Sequence, residues 1–221
     1  MTFVKNAGWL ALAGLLALGA TPAGTTTPTA ESALAELKAG NTRHATHKYT
    51  HPHQTASRMT SLAGGQHPHA IILSCADSRV PPEIVFDRGL GDLFTVRVAG
   101  NIAGDAEIAS IEYAVEHLHV PLLVVLGHES CGAVGAAIEG GEAPGHLGTL
   151  VTAIQPSVEK ARAMPGDLTA NAVRMNVAAV VTALRSSHPI LAEHVADGSL
   201  QVVGGVYSLK TGKVSWQPDT P

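Results

Sequence analysis

The decapeptide AIILSCADSR, Ala70–Arg79, decides how this chain folds. Its first five residues form a mostly apolar run without alternation, and Pro68 and polar residues bound it upstream. That is the pattern of a strand buried on both faces of a parallel sheet. Working outward, LFTVRV (Leu93–Val98) and PLLVVLG (Pro121–Gly127) repeat it. Between them, Asp105–His119 carries Ile108, Ile111, Val115 and Leu118 at helical spacing, so strand–helix–strand units with right-handed crossovers are predicted. Farther along, Cys131–Ile138, Leu147–Ala163 and Ala170–Arg185 read as helices, with Pro144, Pro156 and Pro165 at ends or kinks. Leu200–Leu209 and Lys213–Trp216, joined at Thr211-Gly212, read as a closing hairpin. Upstream, Ala30–Ala39 reads as a short amphipathic helix stopped by Gly40-Asn41, and Gln54–Ala63 as a second helix. The predicted fold is α/β, one domain with a mostly parallel sheet.

Composition bounds the function. An apolar content of 45 % over 221 residues fills a real core and excludes disorder of the whole chain. Fourteen basic against eighteen acidic side chains leave a net charge of −4, which excludes a polycationic surface, so no nucleic-acid partner is expected. Lys5 precedes an apolar run, Ala7–Ala20, that is short of the roughly 20 residues a membrane-spanning helix needs. It reads as the core of a signal peptide, with Ala20 or Ala23 before the cleavage point. Residues 1–23 are therefore expected to be a signal peptide, 24–29 a linker and 30–221 a single domain. The mature protein is expected to be periplasmic or secreted, without stable membrane association. In an oxidising compartment the two cysteines raise the question of a disulfide.

In an open parallel sheet, functional residues collect at the carboxyl ends of the strands. Cys75 directly follows the first apolar strand, and His128 and Cys131 follow the third. Two thiolates and one imidazole make a Cys₂His set, which suits zinc and leaves a fourth position open. On spacing alone two other readings stand beside zinc: small buried thiols, or a Cys75–Cys131 disulfide. Asp77 and Arg79 follow the first cysteine by two and four residues. An arginine fork holds a carboxylate ionised, so Asp77 is a candidate either to accept a hydrogen bond from the attacking hydroxide or to become the fourth ligand. An ordinary loop salt bridge would look the same. Glu129 and Ser130, inside the His-x-x-Cys spacer, read as turn formers or supports. The six histidines from His44 to His69 are assigned no role.

The segments CADSRVPPEIVFDRGLGDLFTVRVAGN (Cys75–Asn101), IEYAVEHL (Ile111–Leu118) and VVLGHESCGAV (Val124–Val134) resemble a β-class carbonic anhydrase. Both halves of that family's zinc signature, Cys-x-Asp-x-Arg and His-x-x-Cys, stand in order. The resemblance implies a mostly parallel sheet of four strands plus a C-terminal antiparallel strand, flanked by helices, and a homodimer or higher homo-oligomer. It implies reversible hydration of carbon dioxide to bicarbonate, with one Zn2+ per chain on Cys75, His128 and Cys131, Asp77 as an occasional ligand, and Asp77 with Arg79 as the catalytic dyad. Gln66, Phe94, Ala99 and Tyr113 fall on substrate-pocket positions, part of that pocket coming from the neighbouring subunit. For Phe94 and Tyr113, core packing is an equal reading of the residues alone. Some bacterial members bind inhibitory bicarbonate with a tryptophan, an arginine and a tyrosine. Here Ile72 replaces the tryptophan beside Arg97 and Tyr207, so that site is expected to be absent or weak. Hydrolysis of carbonyl sulfide or carbon disulfide on the same scaffold, or a non-catalytic exported zinc protein, are the alternatives.

Overall fold

The computed structural model describes residues 28–218. The expected signal peptide, most of the linker and the last three residues lie outside that range. Five strands form one sheet in the order β2-β1-β3-β4-β5. Strands β1 (Ala70–Ser74), β2 (Leu93–Arg97), β3 (Leu122–His128) and β4 (Gln201–Tyr207) are parallel, and β5 (Val214–Trp216) pairs antiparallel with β4. The helices are α1 (Ala30–Ala45), α2 (Ala56–Ser61), α3 (Pro82–Val85), α4 (Asp105–Leu118), α5 (Gly132–Glu139), α6 (Leu147–Arg162), α7 (Leu168–Arg185) and α8 (Ile190–Ala196). Among the described residues no helix is long and apolar enough to cross a membrane.

Central position explains the unbroken apolar runs. Every residue of β1 and β3 is buried. Alternate side chains enter opposite layers, because a strand has a period of two. Ile71, Leu73, Leu123 and Val125 meet Ile111, Val115, Val177, Leu184 and Leu191 of α4, α7 and α8. Ile72, Leu122, Val124 and Leu126 meet Leu37 of α1 and Val85 of α3 on the other face. A third cluster around Ile102, Val134, Ile154 and Val158 closes the carboxyl end of the sheet and contains both cysteines. Helix α7 lies hard against β3 and β4 because Gly127 and Gly204 admit it. A Cβ at those positions would stand 2.6 and 2.8 Å from methyl carbons of Val177.

Two expectations are corrected. Strand β2 is not buried on both faces; it is the outermost strand and only half-buried. Helix α1 does not stop at Gly40-Asn41. Gly40 lets the Phe86 carbonyl approach where a Cβ would sit 1.8 Å from it. Asn41 is buried, donates to the carbonyls of Val85 (3.1 Å) and Gly212 (2.8 Å), and accepts from the Val214 amide at 2.8 Å. Residues that look like a terminator thus form a clasp between α1, α3 and the hairpin. Pro156 lies inside α6, and the short helices α3 and α8 carry no periodic signal of their own.

The histidine-rich segment is fastened down by two buried carboxylates. Asp87 accepts from Arg43 Nε (2.6 Å), the Thr50 amide and hydroxyl (3.0 and 2.9 Å) and the His51 amide (3.0 Å). Asp92 meets His53 Nδ1 at 2.7 Å and accepts from the Gly89 amide at 2.9 Å.

Candidate metal centre

Strands β1 and β3 are neighbours, with Ser74 level with Leu126. Cys75, one residue beyond β1, therefore arrives beside His128, the last residue of β3. Ser130, at φ +52°, turns the chain back so that Cys131 caps the start of α5. The Glu129 carboxylate fixes that turn by accepting from the Ser208 hydroxyl (2.9 Å) and the Leu209 amide (3.1 Å). Glu129 thus acts as the expected support.

Sγ of Cys75, Sγ of Cys131 and a ring nitrogen of His128 all lie within 4.8 Å of one another, and all three residues are buried. Among the described residues this is the one cluster of histidine, cysteine and acidic side chains of metal-binding size. The sulfurs are 4.0 Å apart and both thiols are free. A disulfide requires about 2.05 Å; two thiolates on a tetrahedral ion with bonds of about 2.3 Å stand roughly 3.8 Å apart. His128 Nδ1 donates to the Glu129 carbonyl at 2.8 Å, which selects the tautomer with Nε2 as a lone-pair donor. That Nε2 is buried and has no hydrogen-bond partner. An orphaned buried nitrogen facing two soft donors fits zinc.

The local electrostatics favour a cation. The hydrogen bond from the Cys131 thiol, opposed by burial and aided by His128 and the Gly100 and Asp77 amides, lowers the Cys75 pKa below the ordinary thiol value. The same bond and burial push Cys131 up. Burial works against a charged His128, but the nearby Cys75 thiolate, the Glu129 carbonyl and Asp77 outweigh it and raise its pKa. Binding a divalent cation there would expel the protons that the two thiols retain.

Asp77 borders the cluster, with Oδ2 3.8 Å from His128 Nε2. Arg79 grips both its oxygens, at 2.9 Å from Nε and 2.7 Å from Nη2, and its amide adds a third bond at 2.9 Å. These bonds hold the Asp77 carboxyl well below the usual carboxylate range, against burial. Asp77 stands outside the three-donor set in this conformation, because Arg79 claims both oxygens. Arg97 braces the same loop, donating to the carbonyls of Cys75 (3.1 Å) and Asp77 (2.6 Å).

The expected pocket residues divide. Ala99 stands beside Gly100, whose amide donates to Cys75 Sγ at 3.3 Å, and it lines a cavity of about 400 Å³ with Gly132, Ala133, Leu147 and Val151. Gln66 precedes β1 at the amino edge of the sheet, whereas Cys75 lies at the carboxyl edge; five strand residues between them span roughly 16 Å. Phe94 is level with Ile71, near that same amino edge, and packs 6.2 Å from Tyr113 between ring centroids. Tyr113 is 48 % exposed. One chain therefore does not bring Gln66, Phe94 and Tyr113 to its own metal donors. A larger cavity, about 590 Å³, lies between the hairpin and the start of α7 and is lined by none of the three donors. Ile72 is core, Arg97 is engaged with the loop carbonyls, and the Tyr207 hydroxyl bonds His44 Nε2 at 2.8 Å. Sequence reasoning missed the Gly100 amide and Asn176, which donates to the Gly100 carbonyl at 2.8 Å; no local signal marks either.

Known proteins resemble this chain along most of its described length. A sequence profile described as carbonic anhydrase matches residues 70–214. Carbonic anhydrase 2 of Mycobacterium tuberculosis is 44 % identical over 181 residues, 80 % of this chain and 87 % of that protein. Among solved structures, a tetrameric β-carbonic anhydrase from Sordaria macrospora superposes with a TM-score of 0.65 at 30 % identity, covering 80 % of this chain and 93 % of that one. The Coccomyxa β-carbonic anhydrase, solved with acetazolamide, gives 0.65 at 30 % identity, covering 71 % and 75 %.

Proposed function

The chain belongs to the β-class carbonic anhydrases, enzymes that hydrate carbon dioxide reversibly to bicarbonate and a proton, and we propose that it does so on one zinc ion held by Cys75, His128 and Cys131. The buried, unpartnered Nε2 of His128 beside two free thiols carries this reading. Zinc bound there would bring the pKa of a water from 15.7 toward about 7. Two thiolates offset the ion's charge, so the neighbouring protein groups matter more than at an all-histidine site. Asp77, ionised and acceptor-only, orients a proton-bearing nucleophile and rejects a bare anion. Arg79 keeps it ionised and pointed. His128, fixed by the Glu129 carbonyl, keeps its donor face constant.

Assembly follows from the divided pocket. Gln66, Phe94 and Tyr113 serve substrate in a neighbouring copy's site, so the working unit is a homodimer or a larger homo-oligomer. The family's tetrameric members support such an assembly. The sequence pattern of residues 1–23 supports export to the periplasm or beyond, which sequencing the amino terminus of the mature protein tests.

Metal analysis of purified protein, with stopped-flow hydration of carbon dioxide, is the primary test. One zinc per chain with rapid hydration is expected. Zinc without hydration would leave a metal-binding protein, and hydrolysis of carbonyl sulfide or carbon disulfide in place of hydration would reassign the substrate.

A further inference from the structure

Cys75 Sγ accepts the Gly100 amide at 3.3 Å, and the Gly100 carbonyl accepts from Asn176 Nδ2 at 2.8 Å. One peptide turn therefore links a helix side chain to a metal donor. The Gly100 backbone is left-handed, at φ +77°, and a Cβ there would meet Ile154 Cδ1 at 2.6 Å, so the turn carries glycine on two grounds. Asn176 is itself 2 % exposed, in the middle of a helix whose neighbouring buried residues, Ala172, Val173, Val177 and Val180, are apolar. Its place is fixed by the contact of Val177 with Gly127 and Gly204, the close approach that presses α7 onto β3 and β4. A carboxamide in such surroundings persists where it satisfies a buried partner, and the partner here is the turn that presents an N–H to sulfur.

Resting on the zinc reading above, we propose that Asn176 is a positioning residue for the metal centre, holding the Ala99–Asn101 turn so that the Gly100 amide stays on the Cys75 thiolate. An N–H donor stabilises a thiolate over a thiol and offsets its charge donation to a bound cation. Without the carboxamide, the Gly100 carbonyl loses its partner, the turn rotates to recover one, and the amide leaves the sulfur.

The test compares wild type with Asn176→Ala and Asn176→Leu, the second keeping bulk while removing the donor. Zinc affinity is measured by competition with a chromophoric chelator, and metal-free and zinc-loaded proteins are melted in parallel. A 10–100-fold loss of zinc affinity is expected, the range for removing such supports. The thiolate-to-metal absorption of the cobalt-substituted protein should shift with it. A role in packing alone would lower both melting curves together and leave zinc affinity at the wild-type value, overturning the proposal. Wild-type protein loaded with cadmium-113 gives a readout independent of any variant's folding: a scalar coupling between the metal and the Gly100 amide proton is expected, and its absence would equally overturn the proposal. A wild type that binds no zinc would instead overturn the functional reading itself, before any variant is compared.

Discussion

Asp77 answers to two groups: Arg79 holds its oxygens at 2.9 and 2.7 Å, while Oδ2 stands 3.8 Å from the unpartnered nitrogen of His128. Its value lies in being an acceptor that cannot donate. Asp77→Asn keeps the shape and adds a donor, and kcat/KM for hydration is expected to fall about 100-fold, in the range for loss of a positioned proton acceptor. Zinc content should not change, because the carboxylate stands outside the donor set. Arg79→Ala should act in the same direction by releasing the carboxylate. Stopped-flow assays with metal analysis check both; unchanged turnover in either would remove that residue from the mechanism. A second carboxylate, Asp87, works on stability. Burial opposes its ionisation, but Arg43, Thr50 and the His51 amide outweigh that, so its folded pKa lies below the unfolded value near 3.9. Stability from this group is full above about pH 4 and fades as pH falls through the folded value. Asp87→Ala should cost about 3 kcal/mol at pH 7, and the gap from wild type in urea unfolding should narrow at pH 3.

Element boundaries show what the sequence can and cannot say. β1 and β3 are legible because burial on both faces writes itself into composition. β2 repeats the pattern, yet its outer position depends on which strands pair, and nothing within Leu93–Arg97 states that. Helix α1 overruns its apparent stop because the partners of Asn41 lie 44 and 171 residues away. Asn41→Ala would leave buried groups of α3 and the hairpin unpaired, and about 2–3 kcal/mol of stability should be lost, with hydrogen exchange accelerating first in β5. Exchange unchanged in β5 would mean that Asn41 does not clasp the hairpin. The convergence of Cys75, His128 and Cys131, by contrast, was legible, because residues at strand ends need only the topology to meet. Asn176 was not, since an asparagine in a helix acquires meaning only from what packs against it.

At the scale of the molecule, the chain carries its chemistry at one edge of the sheet and Gln66, Phe94 and Tyr113 at the other. Two defective chains should therefore complement. Mixing Gln66→Ala with Asp77→Asn protein and letting subunits exchange puts both lesions in one site of each mixed dimer and none in the other. Random exchange makes half the dimers mixed, so about a quarter of all sites should regain full activity. Recovery of nothing beyond the average of the two parents would mean that Gln66 acts within its own chain or not at all.

The adjacency of β1 and β3 also sets an order in time. Cys75 and Cys131 are 56 residues apart in the chain, and they meet only where β1 and β3 lie side by side. Contacts of such range form late, because closing the loop precedes any gain from it. The three donors come together as a set only once those strands lie side by side, so an ion bound there would meet a scaffold already built by its aliphatic layers. Unlike a small zinc-dependent domain, the chain is expected to fold without metal and to take up its ion afterwards, and a cooperative urea transition of chelator-treated protein checks this.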